Sequence, residues 1–353
     1  MTNAAQKVAA GWAALYGTVA LVWTLTGRGF PFGPGHQDEQ TAVLARLGPD
    51  TGAPLFAALL LTGAVALLIM ADTSRPPRWA RFALLGYVWL LVAGLLVVVP
   101  DMRLLVLTGY APILIIGFPF GFPPVDYSEI FTWTLANQVF AVAGGLLLAR
   151  AALRWQFRTA GACEDCGRRP GGASWTSAES AARWGRWATY IAAAIPLFYA
   201  VVRLAWAAGI PLGISPDFLD EMRENGAVWG ALGLGGFAAA GAILTLGLTQ
   251  RWGEVFPRWM VGLAGRRVPI RMATVPATLV SIFVMSASVA FFADPEGLEM
   301  ITGNGLAAAP MATWPFWSLA LGAATLGYHL RRRPACQECR APGLVPARAA
   351  GAY

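Results

Sequence analysis

Eight apolar runs dominate the chain, at roughly 9–26, 53–71, 82–100, 131–151, 187–209, 226–249, 273–293 and 312–330. Each is close to the ~20 residues that cross a hydrocarbon core as a helix. In lipid only helices and closed barrels satisfy every backbone hydrogen bond, and the alternating pattern of a barrel strand is absent. The runs therefore predict an all-α integral membrane protein with eight transmembrane helices. Charge usage agrees: 13% of residues are charged, against about a quarter in soluble domains. The first run has Lys7 before it but no small-residue cleavage site after it, so it reads as a retained span.

The cations set the orientation. With the N-terminus inside, the outer segments hold Arg28, Arg46, Arg103 and Arg223, Arg203 lies within a span, and the other 21 of the 26 lysines and arginines fall on the inner side. That asymmetry is the positive-inside pattern, and it predicts cytoplasmic N- and C-termini in a cell inner (plasma) membrane. The sequence pI near 9.6 thus reflects topology. No basic patch sits on a soluble domain, so the partner is the lipid bilayer and no nucleic acid.

The chain also repeats itself. Tyr16 and Trp23 in the first run match Tyr199 and Trp206 in the fifth, and each pair precedes a Gly-x-Pro-x-Gly turn, GFPFG at 29–33 and GIPLG at 209–213. Acidic pairs follow, Asp38-Glu39 and Asp220-Glu221. Pro77-Arg78-Trp79 matches Pro257-Arg258-Trp259, and Thr132-Trp133 matches Thr313-Trp314. Each half closes on a CxxC, Cys163/Cys166 and Cys336/Cys339. Six matches in order predict two parallel four-helix repeats, related by a pseudo-two-fold along the membrane normal. The boundaries read as 1–168 for the first repeat, 169–184 for a linker, 185–340 for the second repeat and 341–353 for a disordered tail. A third turn, GFPFG at 117–121, lies in the apolar stretch 104–122 and has no partner. A ninth span there would move the arginine-rich segment 150–186 outside. The stretch reads instead as an apolar outer loop packed on helix ends, or as a re-entrant segment.

The two CxxC motifs carry the sharpest chemistry. Each places two sulfurs on one tight turn, half of a tetrahedral four-cysteine site, in a compartment where structural disulfides are uncommon. Cys163, Cys166, Cys336 and Cys339 are therefore expected to hold one structural zinc ion that clamps the halves together. Three alternatives stay open: a dithiol redox pair, an iron–sulfur cluster, and cysteines with no shared site. Glu164, Asp165 and Glu338 between the cysteines oppose thiolate formation, while Arg168, Arg169 and Arg340 offset them. A c-type haem is excluded, because Gly167 and Arg340 stand where CxxCH needs His. With only two histidines, His36 and His329, no bis-His haem pair or His-rich metal centre can be built. His329 suits a helix C-terminus. No HExxH, GxSxG or Walker A pattern occurs.

The outer segments carry thirteen carboxylates, among them Asp38, Asp50, Asp101, Asp126, Glu129, Asp217, Asp294 and Glu299, and these read as solvated loop charge. Within the spans, Arg203 either faces a partner or cavity or snorkels outward. Its counterpart in the first half is Ala20. Asn137 and Gln138 are the other buried polar candidates, as solute ligands or as glue between helices. Gly/Ala runs in spans two, four and six suit close helix packing.

The stretch PLFYAVVRLAWAAGIPLGIS, 196–215, resembles a segment of uncharacterised bacterial polytopic membrane proteins with tandem four-helix repeats. The resemblance implies a membrane location and no catalytic residue. The leading expectation is a small-solute binder or transporter with a central, outward-facing cavity near Arg203, Asn137 and Gln138. A membrane redox enzyme or carrier using the CxxC pairs, and a non-catalytic scaffold, are the alternatives. The sequence names no protein partner.

Overall fold

The computed structural model describes residues 3–37, 42–120, 130–168, 175–303 and 305–339, and among them there is helix and no strand. Among the described residues seven helices are long and apolar enough to cross a membrane: α1 (Ala4–Thr26), α2 (Pro49–Asp72), α3 (Arg78–Val98), then Trp133–Thr159, Ala178–Ala207, Ala227–Leu246 and Ile270–Ala293. The eighth expected run is also a helix, Trp314–Arg332. It is not among those seven, because Ser318, Tyr328, His329, Arg331 and Arg332 lower its apolar character.

The chain divides into two compact units, residues 1–171 with 289–294, and residues 172–288 with 295–353. In the first unit, α1 packs against α2 and against α5 (Trp133–Thr159), the helix that follows the shorter α4 (Met102–Gly117). Small residues set these approaches. The indole of Trp12 lies so close over Gly144 that a Cβ there would sit inside the ring, and Leu96 fills the space over Gly145. Helix α1 stops at Gly27, whose φ of +64° only glycine adopts easily. Phe30 and Phe32 of the GFPFG turn then fold inward against Phe56, with ring centroids 5.8 and 5.4 Å from it. Gly33, at φ +93°, touches the Leu47 carbonyl where no side chain fits. The turn also receives α5: Trp133 Nε1 donates to the Gly29 carbonyl and Thr134 Oγ1 to the Pro31 carbonyl, each at 2.9 Å. Gly-x-Pro-x-Gly is therefore an aromatic plug and a docking point as well as a helix stop.

The second unit is built on α6 (Ala178–Ala207), which packs against α8 (Ala227–Leu246) and α12 (Trp314–Arg332). Gly185 and Gly327 bring α6 and α12 into backbone contact. Between α9 (Ile270–Ala293) and α12, Ser281 and Ser318 exchange hydrogen bonds, each hydroxyl donating to the other's carbonyl at 2.9 and 2.7 Å. Such reciprocal serine pairs join helices where apolar packing alone is weakly selective. The short amphipathic α7 (Pro216–Glu224) starts on a Ser215 cap and buries Leu219 and Met222 beneath Trp206. Two further short helices, α10 (Pro295–Gly303) and α11 (Gly305–Ala312), precede α12.

Several expectations are corrected. Helix α6 begins at Ala178, inside the segment read as a linker, because Ser177 caps it by accepting from the Ser180 amide at 3.2 Å. Residues 102–117 are helix, not loop, but at 16 residues α4 is shorter than a bilayer crossing. Both Pro-Arg-Trp triplets fall between the expected helices, though Pro77 caps α3 directly and Pro257-Arg258-Trp259 lies further ahead of α9. Among the described outer carboxylates, two are core residues. Asp101 is buried, accepting from the Arg103 amide at 2.9 Å, and buried Asp294 pairs with Arg46 at 3.2 Å. Asp38, Glu39, Asp126, Glu129, Gly121, linker residues 169–174 and the tail 341–353 lie outside the described residues.

Gly144→Leu is expected to lower stability by at least about 1–3 kcal/mol, the range for overpacking a tight contact. Gly86→Ala, at a position with open space around it, should be neutral or stabilising. Thermal unfolding of the two variants in detergent checks the contrast.

Candidate metal centre

The cysteines follow directly from how α5 and α12 end. Beyond Thr159 the chain reverses at Gly161, φ +68°, with the Ala162 amide donating to the Phe157 carbonyl at 2.9 Å. Cys163 then opens a tight turn. Its amide donates to the Arg168 carbonyl at 3.0 Å and its carbonyl accepts from the Gly167 amide at 2.8 Å. Gly167 has φ +67° and lies under the Phe157 ring, so both conformation and space require glycine there. Arg154, one helical turn before Arg158, holds Asp165 at 2.8 Å and neutralises one of the two carboxylates between the cysteines. The second motif follows α12, whose last turn is closed by the Arg333 amide donating to the His329 carbonyl at 2.8 Å.

The Sγ atoms of Cys163, Cys166, Cys336 and Cys339 all lie within 4.8 Å of one another. None of the four is in a disulfide. The first three are partly buried and Cys339 is exposed. A tetrahedral zinc with Zn–S bonds of about 2.3 Å sets its sulfurs about 3.8 Å apart, which lies inside the 4.8 Å limit of this cluster. The donor set suits a soft or borderline metal ion and leaves no position open for a substrate.

Behind each CxxC stands a matched pair of anchors that sequence reading missed. Trp155 and Tyr328, each eight residues before the first cysteine, are among the largest fully buried side chains. Trp155 Nε1 donates to the Thr73 carbonyl at 2.9 Å, and Tyr328 Oη to the Gly253 carbonyl at 2.6 Å. Arg158 and Arg331 stand five residues before the first cysteine. Arg158 Nη2 donates to the Met70 carbonyl at 2.7 Å, at the end of α2, and Nη1 to Asn3 Oδ1 at 2.7 Å. Arg331 Nη2 donates to the Leu248 carbonyl at 3.0 Å, just beyond α8, while Nη1 pairs with Glu254 at 2.7 Å. The spacing to the cysteines was the available signal; the arginines were counted only as topology charge.

The candidate solute residues separate into different roles. Asn137 is engaged within the first unit, accepting from Tyr16 Oη at 3.1 Å and donating to the Trp133 carbonyl at 2.9 Å. Gln138, one residue on, is fully buried and neither amide atom has a hydrogen-bond partner. Arg203 belongs to the second unit and lies against two aromatic faces, 4.3 Å from the Trp206 centroid and 5.0 Å from that of Tyr199. In the first unit the corresponding Tyr16 and Trp23 meet directly, with centroids 5.8 Å apart.

Fold and site together define a multi-pass helical membrane protein with a four-cysteine cluster able to hold a metal ion. No protein-family profile matches the chain, and no curated protein or solved structure matches it. Its chemistry therefore has to be read from its own side chains.

Arg158→Met strands the Met70 carbonyl at the end of α2, and Arg331→Met strands the Leu248 carbonyl just beyond α8. Each is expected to lose about 1–3 kcal/mol and to speed maleimide labelling of the nearer cysteine pair. Arg251→Met, on an exposed side chain, should do neither. Unfolding in detergent and labelling rates measure both effects.

Proposed function

We propose that the chain is an eight-span inner-membrane protein of two parallel four-helix repeats, with both termini cytoplasmic, in which Cys163, Cys166, Cys336 and Cys339 hold one structural zinc ion. The observation that carries the metal is the approach of the four sulfurs to within 4.8 Å. Four thiolate donors complete a tetrahedral shell, which is the structural rather than the catalytic arrangement. The ion ties the motif that closes one repeat to the motif that closes the other. The repeat reading draws support from the matched Trp155/Tyr328 and Arg158/Arg331 anchors, each at one fixed distance from its cysteines. Helix α12 serves as the eighth span.

Metal analysis of the detergent-purified protein is expected to give about one zinc ion per chain, absent after all four cysteines are changed to serine. Chelation should lower the unfolding temperature of the wild type only. Iron with visible absorbance would make the site an electron carrier instead. Absence of metal with rapidly alkylated thiols would favour dithiol exchange. Reporter fusions at either terminus should read as cytoplasmic.

A second reading, small-solute binding, is favoured by Gln138, whose buried amide offers a donor and an acceptor to a ligand. Gln138→Leu is expected to leave stability unchanged or raised, since it removes a buried unsatisfied amide. It should also abolish the thermal shift of any solute that stabilises the wild type. A solute panel without one stabilising member counts against this reading.

A further inference from the structure

The connection between α8 and α9, 247–269, is far longer than the one between α2 and α3, 73–77, and it is a built structure. Val255 and Arg267 form an antiparallel bridge. Around it the Phe256 amide donates to the Arg266 carbonyl at 3.0 Å, the Gly265 amide to the Phe256 carbonyl at 3.1 Å, and the Val268 amide to the Glu254 carbonyl at 2.9 Å. Its base is held from α12: Tyr328 Oη bonds the Gly253 carbonyl at 2.6 Å, and Arg332 Nη2 the Val268 carbonyl at 2.9 Å. A loop fixed this firmly presents its tip in a set direction.

The tip is apolar where a solvated loop would be polar. Trp259 is 78% exposed and Val261 96% exposed, with Leu263 beside them. Arg258, Arg266 and Arg267 flank these side chains along the chain, and Arg271 opens the adjoining helix. All four arginines are exposed, and among the described residues none pairs with a carboxylate. Four uncompensated guanidinium groups around an aromatic and aliphatic tip, directly before a helix long enough to cross the bilayer, match a surface with an apolar interior and an anionic face.

We propose that the 255–267 hairpin is a lipid-binding element. Trp259, Val261 and Leu263 enter the boundary between headgroups and acyl chains, and Arg258, Arg266, Arg267 and Arg271 bind the phosphates of anionic phospholipid. Placing it in the cytoplasmic leaflet rests on the topology proposed above.

The test uses the full chain in non-ionic detergent, titrated with short-chain phosphatidylglycerol, phosphatidylcholine or glycerol phosphate and followed by thermal unfolding. Phosphatidylglycerol is expected to stabilise selectively. Arg258→Gln/Arg266→Gln/Arg267→Gln should reduce the preference over phosphatidylcholine by about tenfold or more, while unfolding without lipid stays at the wild-type temperature. Trp259→Ser/Val261→Ser should weaken both lipids together. A control, Arg75→Gln/Arg78→Gln/Arg183→Gln, changes net charge equally and should keep the preference. The proposal is overturned if the control loses the preference as fully, if glycerol phosphate alone gives the effect, or if the loop variant retains selectivity. It is also overturned if the loop captures an acidic protein and shows no lipid preference. A reporter placing the loop outside would sink the topology but leave the lipid result standing, because detergent titration has no sidedness.

Discussion

A helix cannot satisfy its own last four carbonyls, and near a bilayer there is little water to do it instead. At the end of α2 an arginine supplies one missing donor, and a second arginine does the same for the turn that follows α8. Arg158 reaches the end of α2 and Arg331 reaches just beyond α8, each from the last turns of a neighbouring helix. The guanidinium adds a positive charge where the helix dipole is negative, so hydrogen bonding and electrostatics act in the same sense. The buried Trp155 and Tyr328 fix the helix just before these arginines by bonding to the next connection. Only five residues separate each arginine from a cysteine, so the clasp at the helix end also sets where the sulfurs begin.

At the opposite ends of α1 and α6 the same aromatic pair is used in two ways. Tyr16 and Trp23 pack ring against ring, and Trp23 continues onto Phe30 of the plug. In α6, Arg203 takes the place corresponding to Ala20 and lies over both rings. A charged side chain in an apolar span is expensive, and a desolvated cation–π contact returns about 2 kcal/mol. Trp206 meanwhile turns its Nε1 to the Leu212 carbonyl at 2.8 Å, bonding the turn that follows its own helix. The first unit closes its turn with a neighbouring helix, through Trp133 and Thr134; the second closes it from within.

The spans were legible because apolar length is a property of single segments. So were the cysteines, which the chain marks by spacing alone. What stayed hidden depends on long-range partners. Asp101 and Asp294 look like every other loop carboxylate until Gln37 and Arg46 are seen beside them. Helix α4 was hidden by Gly109, Pro112, Gly117 and Pro119, which argue for a loop; glycine and proline weaken a helix without forbidding it where neighbours compensate. Pro-Arg-Trp marks the right connection in each half but not the helix start: the third helices begin at Arg78 and Ile270, 192 positions apart, outside the spacing of the other matches. Gln138 and Asn137 are adjacent and chemically alike, yet one amide bonds Tyr16 and the other is buried with no hydrogen-bond partner, which only coordinates distinguish.

The two cysteine pairs are separated by most of the second half of the chain, and this has a temporal meaning during synthesis. Cys163 and Cys166 are made first, on a turn that Gly161 and Gly167 shape, and supply two of the four sulfurs. The four sulfurs can come together only after α6 through α12 have been made. Closure of the cluster is thus a record that both halves have been synthesised and folded, and a chain that stops before Cys336 holds only two of the four sulfurs.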